Sequence, residues 1–155
     1  MQITLSVVVF TYNHEKYICK CLDSILKQKT DFEFEIIVAD DCSTDGTYDL
    51  LVKKYSDKVS ILRRRENIGL CRNMYEAFRE AQGKYIYTCD GDDYVVSDNL
   101  LQKHVDFLEK NRDYFSVTSW FVHRNEVLGE EKIRKIPYAE YTMLDYLRGT
   151  KVYFS

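Results

Sequence analysis

The chain has 155 residues, 45% of them hydrophobic, with a net charge of −3 and a pI of about 5.7. That length and apolar content suit one domain with a buried core, and the near-balanced charge supplies no field to hold nucleic acid or an acidic membrane surface. No stretch is long or apolar enough to cross a bilayer, and the N-terminus lacks a signal peptide's basic start and small-residue cleavage site, so a cytoplasmic location is expected.

Residues 3–10 (ITLSVVVF) are an almost unbroken apolar, β-branched run, the mark of a strand buried on both faces in a parallel sheet. Ile18, Leu22, Ile25 and Leu26 then recur at helical spacing, on a face that would cover the sheet. A second strand is expected over residues 35–39, running into Asp40-Asp41-Cys42-Ser43-Thr44-Asp45-Gly46-Thr47, a loop rich in turn and N-cap residues. It leads to a helix through Leu50, Leu51 and Tyr55. The unit repeats with a strand over 59–63, a turn at Asn67-Ile68-Gly69, a helix over 70–82 ended by Gly83, and a strand over 85–89. Beyond Asp93 the order loosens. Ser97 reads as the cap of a helix to about Asn111, residues 114–122 as a strand, 125–132 as a polar connection and 141–148 as a short helix. Residues 152–154 look like a strand just beginning, which leads us to expect a chain that continues in the natural protein.

Five cysteines, Cys19, Cys21, Cys42, Cys71 and Cys89, are odd in number and scattered, and read as reduced, mostly buried thiols. Cys19-Lys20-Cys21 has no second cysteine pair or nearby histidine to complete a zinc set, so core packing is its expected use.

Strands alternating with helices predict an α/β fold with a mostly parallel central sheet and helices on both faces. In such open sheets ligands settle outside the carboxyl ends of the strands. Those ends carry Thr11-Tyr12-Asn13, Asp40-Asp41, Asn67 with Arg72, and Asp90-Gly91-Asp92-Asp93, so all four groups should face one crevice. Tyr12 offers a flat face for a base. Asp41 can accept a hydrogen bond from a ring N–H or a ribose hydroxyl, and Arg72 can pair with phosphate or a carbonyl oxygen. The carboxylates of the fourth loop suit a hard divalent ion, and Gly91 permits close approach. Taken singly, each has a blander reading. Asp40-Asp41 reads as a solvated turn, Tyr12 as packing, Arg72 as a surface helix residue and the acidic loop as a helix start. Convergence on one rim favours the site. His14, His104 and His123 lack ligand spacing and are assigned no role, and Arg63-Arg64-Arg65 reads as a solvated strand end with at most a minor part in attracting phosphate.

The segments SVVVFTYNHEKYICKCLDSILKQ, FEIIVADDCSTDGT and ENIGLCRNMYEAFREAQGKYIYTCDGDD resemble the successive signatures of family 2 glycosyltransferases, over most of residues 5–110. The resemblance implies the GT-A fold in a single domain over 1–155, with a nucleotide-binding half over about 1–110 and the start of an acceptor-side region over about 111–155. It implies inverting transfer of a sugar from a nucleotide-sugar, commonly UDP-linked, to a hydroxyl of a saccharide or lipid-linked acceptor, with Mg2+ or Mn2+. It places Thr11, Tyr12 and Asn13 beside the nucleobase, Asp41 on the base ring and Arg72 near the nucleotide. Asp90-Gly91-Asp92 is similar to the family's D-x-D element, with Asp92 the direct metal ligand and Asp90 near the ribose or a metal-bound water. Asp93, Asp40 and Asn67 would support them. The diphosphate is itself anionic and can approach these carboxylates only through a bridging cation. No catalytic base is identified, since neither Glu140 nor Asp145 sits in a matching context. Cell-surface polysaccharide assembly, at the inner face of the membrane, is the setting implied.

Other acidic-pocket folds fit less well. A phosphoreceiver domain carries its acidic pair after the first strand, a dehalogenase-type phosphatase carries a nucleophilic Asp where this chain has Thr11-Tyr12-Asn13, and a dinucleotide oxidoreductase needs a glycine-rich first turn. A non-catalytic nucleotide-sugar-binding module is the remaining alternative.

Overall fold

The computed structural model describes residues 3–119, 121–125 and 130–134. Its elements run β1 (Leu5–Thr11), α1 (Ile18–Leu26), β2 (Phe34–Asp40), α2 (Thr47–Tyr55), β3 (Ser60–Arg63), α3 (Leu70–Phe78), β4 (Tyr85–Asp90), α4 (Leu100–Lys110), β5 (Phe121–Asn125) and β6 (Glu130–Arg134). The chain divides into two compact units, Met1–Lys103 and His104–Ser155. Among the described residues no helix is long and apolar enough to cross a membrane.

The first unit is built on a parallel sheet in the order β3-β2-β1-β4. β1 is central, with a strand on each edge, and all seven of its residues are buried, which is why its sequence is apolar without alternation. On one face Val8, Phe10 and Ala39 pack with Ala77 of α3, flanked by Leu62, Met74 and Phe78. Phe10 and Phe78 meet edge-to-face with centroids 5.8 Å apart. On the other face Cys89, whose Cα partner is Val9, has its Sγ 3.8 Å from that of Cys21 in α1. α1 buries Ile18, Cys21, Leu22 and Ile25, one helical stripe. Leu26, expected to join them, is exposed at the end of the helix. The cysteines are all free, but only Cys21 and Cys89 are buried, fewer than expected. The sulfur contact with Cys89, and then burial, push the Cys21 thiol far above its ordinary range, so it stays protonated and inert.

Tyr55 joins α2 to α1: its hydroxyl lies 2.9 Å from Asp23 Oδ1 and 3.2 Å from the carbonyl of Cys19. Tyr55→Phe should therefore lower the unfolding free energy by about 1 kcal/mol, measured by urea denaturation, with the m-value unchanged.

Three boundaries differ from those expected. α3 ends at Phe78 rather than at Gln82, its last amides turning to i−3 carbonyls (Glu80 to Ala77, Ala81 to Phe78) before Gln82 gives its N–H to Glu35. α4 begins at Leu100 rather than beside Ser97, whose hydroxyl instead bonds Asn99 Oδ1 at 2.8 Å. The strand expected over 114–122 lies at Phe121–Asn125, and the polar stretch after it supplies β6, its antiparallel partner. A two-stranded ribbon need not bury both faces, so charged residues such as those of Glu130–Arg134 are no bar to a strand. The helix expected over 141–148 and the strand start at 152–154 lie outside the described residues.

Candidate functional site at the carboxyl edge of the sheet

The parallel register brings the carboxyl ends of the strands to one edge. Thr11 stands opposite Asp40, and Phe10 opposite Asp90. The pairing carries on past the strands, the Asp41 amide bonding the Thr11 carbonyl at 3.0 Å and the Gly91 amide the Phe10 carbonyl at 2.8 Å. Thr11, Asp40-Asp41 and Asp90-Gly91 are thus neighbours across three strands, as expected from the sequence.

Within this edge the polar residues divide into those that build the loops and those left facing outward. Asp40 is fully buried; it accepts the Ser43 amide and hydroxyl, and Arg63 Nε lies 3.8 Å from its Oδ2. Asn13 adopts a left-handed backbone, φ 58°, and clips the first loop to the second: its amide donates to Ser43 Oγ at 3.0 Å, and its Oδ1 accepts the Thr44 amide at 2.8 Å. Glu15 repeats the clip, its amide donating to Asp45 Oδ2 and its Oε2 accepting the Gly46 amide. Asp41, 5% exposed, receives the amides of Ile68 and Gly69 on its two oxygens, each at 2.9 Å, and so fixes the turn before α3. Asn67 accepts from the same Gly69 amide at 3.2 Å.

Facing outward are Tyr12, Asp92, Asp93 and Arg72. The Tyr12 ring is 43% exposed and stands directly after Thr11. Arg72 lies in the first turn of α3, its side chain 69% exposed and paired with Glu76. Asp90 and Asp93 both hold their protons above the ordinary carboxylate range, first because neighbouring protein atoms displace water, then because Asp92 adds negative charge; His14 opposes the shift. Crowded carboxylates of this kind gain from a cation. The buried Thr11 Oγ1 and His14 Nδ1, both without a hydrogen-bond partner, flank the same loop at Gly91. Among the described residues no three Asp, Glu, His or Cys side chains form a complete cage, so the donor set is partial. A partial set of one or two carboxylates fits a Mg2+-like ion that completes its shell with phosphate oxygens and water.

Two residues at this edge do more than their sequence context indicates. Arg63 is not simply a solvated strand end: besides reaching Asp40 it stacks 3.8 Å over the ring of Tyr48, while Arg64 bonds Asn73 and Glu76. His14, set aside for lack of ligand spacing, has its Nε2 4.0 Å from Asp92 Oδ1. Its one sequence signal is position, on the same loop as Thr11, Tyr12 and Asn13. Glu140, Asp145 and His123, by contrast, lie outside the residues whose side chains are described.

Known proteins resemble this chain in sequence and fold. Staphylococcus aureus poly(ribitol-phosphate) beta-N-acetylglucosaminyltransferase TarS is 41% identical over 103 residues, 61% of this chain and 17% of TarS. An uncharacterized Mycobacterium tuberculosis protein is 36% identical over 110 residues, 69% of this chain and 32% of its own length. The crystal structure of TarS in complex with UDP-GlcNAc superposes with a TM-score of 0.63 at 36% identity, covering 71% of this chain and 32% of that one. Mannosyltransferase PcManGT from Pyrobaculum calidifontis, in complex with GDP-Man and Mn2+, gives 0.61 at 27% identity, covering 70% and 33%. The chain therefore spans about a third or less of these proteins. The family model described as Glycosyl transferase family 2 matches residues 6–154, and the chain belongs to that family.

Proposed function

We propose that this chain carries the donor-binding part of an inverting glycosyltransferase that takes a sugar from a nucleoside-diphosphate sugar, UDP-linked by preference, to a hydroxyl of a saccharide or lipid-linked acceptor. The observation that carries the reading is the register that sets Thr11 between Asp40-Asp41 and Asp90-Gly91 at one sheet edge. In it, Tyr12 stacks on the base and Asp41, already polarised by two amides, accepts from the base ring. Thr11 and Asn13 shape that pocket, Asn13 through the loop it clips, with Asp40 and Asn67 holding the loops behind it. Arg72 exchanges Glu76 for the nucleotide. Asp92 would hold a divalent cation, Mg2+ or Mn2+, directly, with Asp90 near the ribose or a metal-bound water, and Asp93 supports both. When bound, that cation neutralises the departing diphosphate. Acceptor attack on the anomeric carbon needs a base to take the hydroxyl proton, which these residues do not supply. In this reading residues 1–110 bind the donor and about 111–155 begin the acceptor side, at the inner face of a membrane where cell-surface polysaccharide is assembled.

Support for UDP comes from the TarS complex, and support for the cation from the Mn2+ in the mannosyltransferase, each a property of that protein. Calorimetric titration of the chain with UDP, GDP and dTDP in Mn2+ is expected to give saturable heat for UDP and to lose it in EDTA. Heat for none of the three would overturn the reading. A second reading is nucleotide-sugar binding without transfer. Donor turnover in the presence of acceptor hydroxyls separates the two.

A further inference from the structure

His14 stands where the first loop meets the acidic loop, and it is held there from both sides. Asn13 is tied to Ser43 and Thr44, Glu15 to Asp45 and Gly46, and the His14 carbonyl receives the amides of Tyr17 and Ile18 at 2.9 Å each. Gly91 lies against the ring: a Cβ there would come 2.7 Å from His14 Nδ1 and 2.9 Å from Thr11 Oγ1. The glycine of Asp90-Gly91-Asp92 has no positive φ, so its use is space, and the space is taken by imidazole and threonine. The other ring nitrogen, Nε2, lies 4.0 Å from Asp92 Oδ1. That gap is too long for a hydrogen bond. It leaves room for an ion that both atoms could ligate. The His14 side chain is 24% exposed and that of Asp92 52%, while Nδ1 at the back of the ring is buried.

We propose that His14 Nε2 is a second protein donor, across from Asp92, to the divalent cation of this site, and that it favours manganese or cobalt over magnesium. The proposal rests on the cation-dependent reading of the site given above. An imidazole nitrogen binds first-row transition ions well and magnesium poorly, whereas carboxylate and phosphate oxygens accept either. Two protein donors with the remainder from diphosphate and water also agree with the absence, among the described side chains, of a complete three-residue cage.

The test is pulsed electron paramagnetic resonance of Mn2+ bound to the chain with UDP. Nitrogen coupling is expected with natural-abundance protein, changing to the ¹⁵N pattern in ¹⁵N-labelled protein with unlabelled UDP, and vanishing in His14→Gln and His14→Ala. In parallel titrations with UDP present, His14→Gln should weaken Mn2+ and Co2+ by about tenfold and Mg2+ by less than about twofold. Bound Mn2+ without protein nitrogen coupling, or an equal loss for all three ions, overturns the role of His14 and leaves the nucleotide site standing. Failure of the unmodified chain to bind any of the ions with UDP overturns both. The coupling is read on the unmodified protein, so the result does not depend on the variants folding.

Discussion

Asp92→Asn should sharply weaken cation-dependent nucleotide binding and yet leave the metal-free chain more stable at neutral pH. The two effects have one cause. Asp92 is half exposed, and its charge is among the causes that lift the proton affinity of both Asp90 and Asp93. For a carboxylate whose folded pKa lies above its unfolded value, the folded state binds more protons, so stability is lost as pH rises through that range. The penalty grows as pH rises through the raised titration of Asp90 and Asp93; well below pH 3.8 those two are protonated in the folded and the unfolded chain alike and it is gone. Asparagine keeps the shape of the side chain and removes the charge. The melting temperature should rise by about 1–3 °C at pH 7 and low salt, and by less at pH 3 or in high salt. Affinity for UDP in Mn2+ should fall on the order of 100-fold, the scale of removing one partner from a close charge pair. Calorimetry and thermal melts read both. A variant that melts lower at pH 7 and binds no worse would show the acidic loop to be a structural element with no cation to hold.

Much of this site was legible before any coordinates. A strand buried on both faces, like β1 and the end of β2, must be apolar, so Thr11 and Asp40 mark the strand ends and with them the rim; Asp90 closes the shorter run of β4, an edge strand only partly buried. Strand order was not legible. β4 pairs with β1 rather than with β3, and that choice sets the acidic loop beside Thr11 and His14. His14 escaped notice for this reason, since its partners Gly91 and Asp92 arrive from a strand far along the chain, and spacing rules count only neighbours in sequence. Nor does a sequence say which groups an acid will hold. Asp41 reads as a free acceptor, while the fold gives both its oxygens to the amides of Ile68 and Gly69. A base bound there would meet a carboxylate already fixed in place, which favours recognition by shape and spares the ordering entropy of a mobile side chain.

Gly83 illustrates the same limit and carries the largest expected effect on stability. Its place after a helical pattern suggested a C-terminal cap, but α3 ends at Phe78 and Gly83 has no positive φ. Its amide instead donates to Ser6 Oγ at 2.8 Å, Ser6 Oγ bonds Glu35 Oε1 at 2.6 Å, and Glu35 also accepts the Gln82 amide, so three segments meet at the start of the sheet. An alanine Cβ would fall 2.6 Å from the Leu5 carbonyl carbon and 2.8 Å from Ser6 Oγ, and nearer still to the Ser6 amide. The Leu5 carbonyl carbon and the Ser6 amide are backbone atoms of the central strand, paired on both sides, and they cannot move without shifting β2 and β4 together. Gly83→Ala should therefore destabilise by about 2–3 kcal/mol, the upper range for overpacking, seen as a lower urea midpoint at constant m-value. Gly46→Ala is the matched contrast: its Cβ would come 2.5 Å from Glu15 Oε1, the far end of a flexible side chain that can swing aside, and the loss should stay below about 1 kcal/mol. Equal losses at the two positions would mean that β1 is not the rigid reference from which the rim residues are hung.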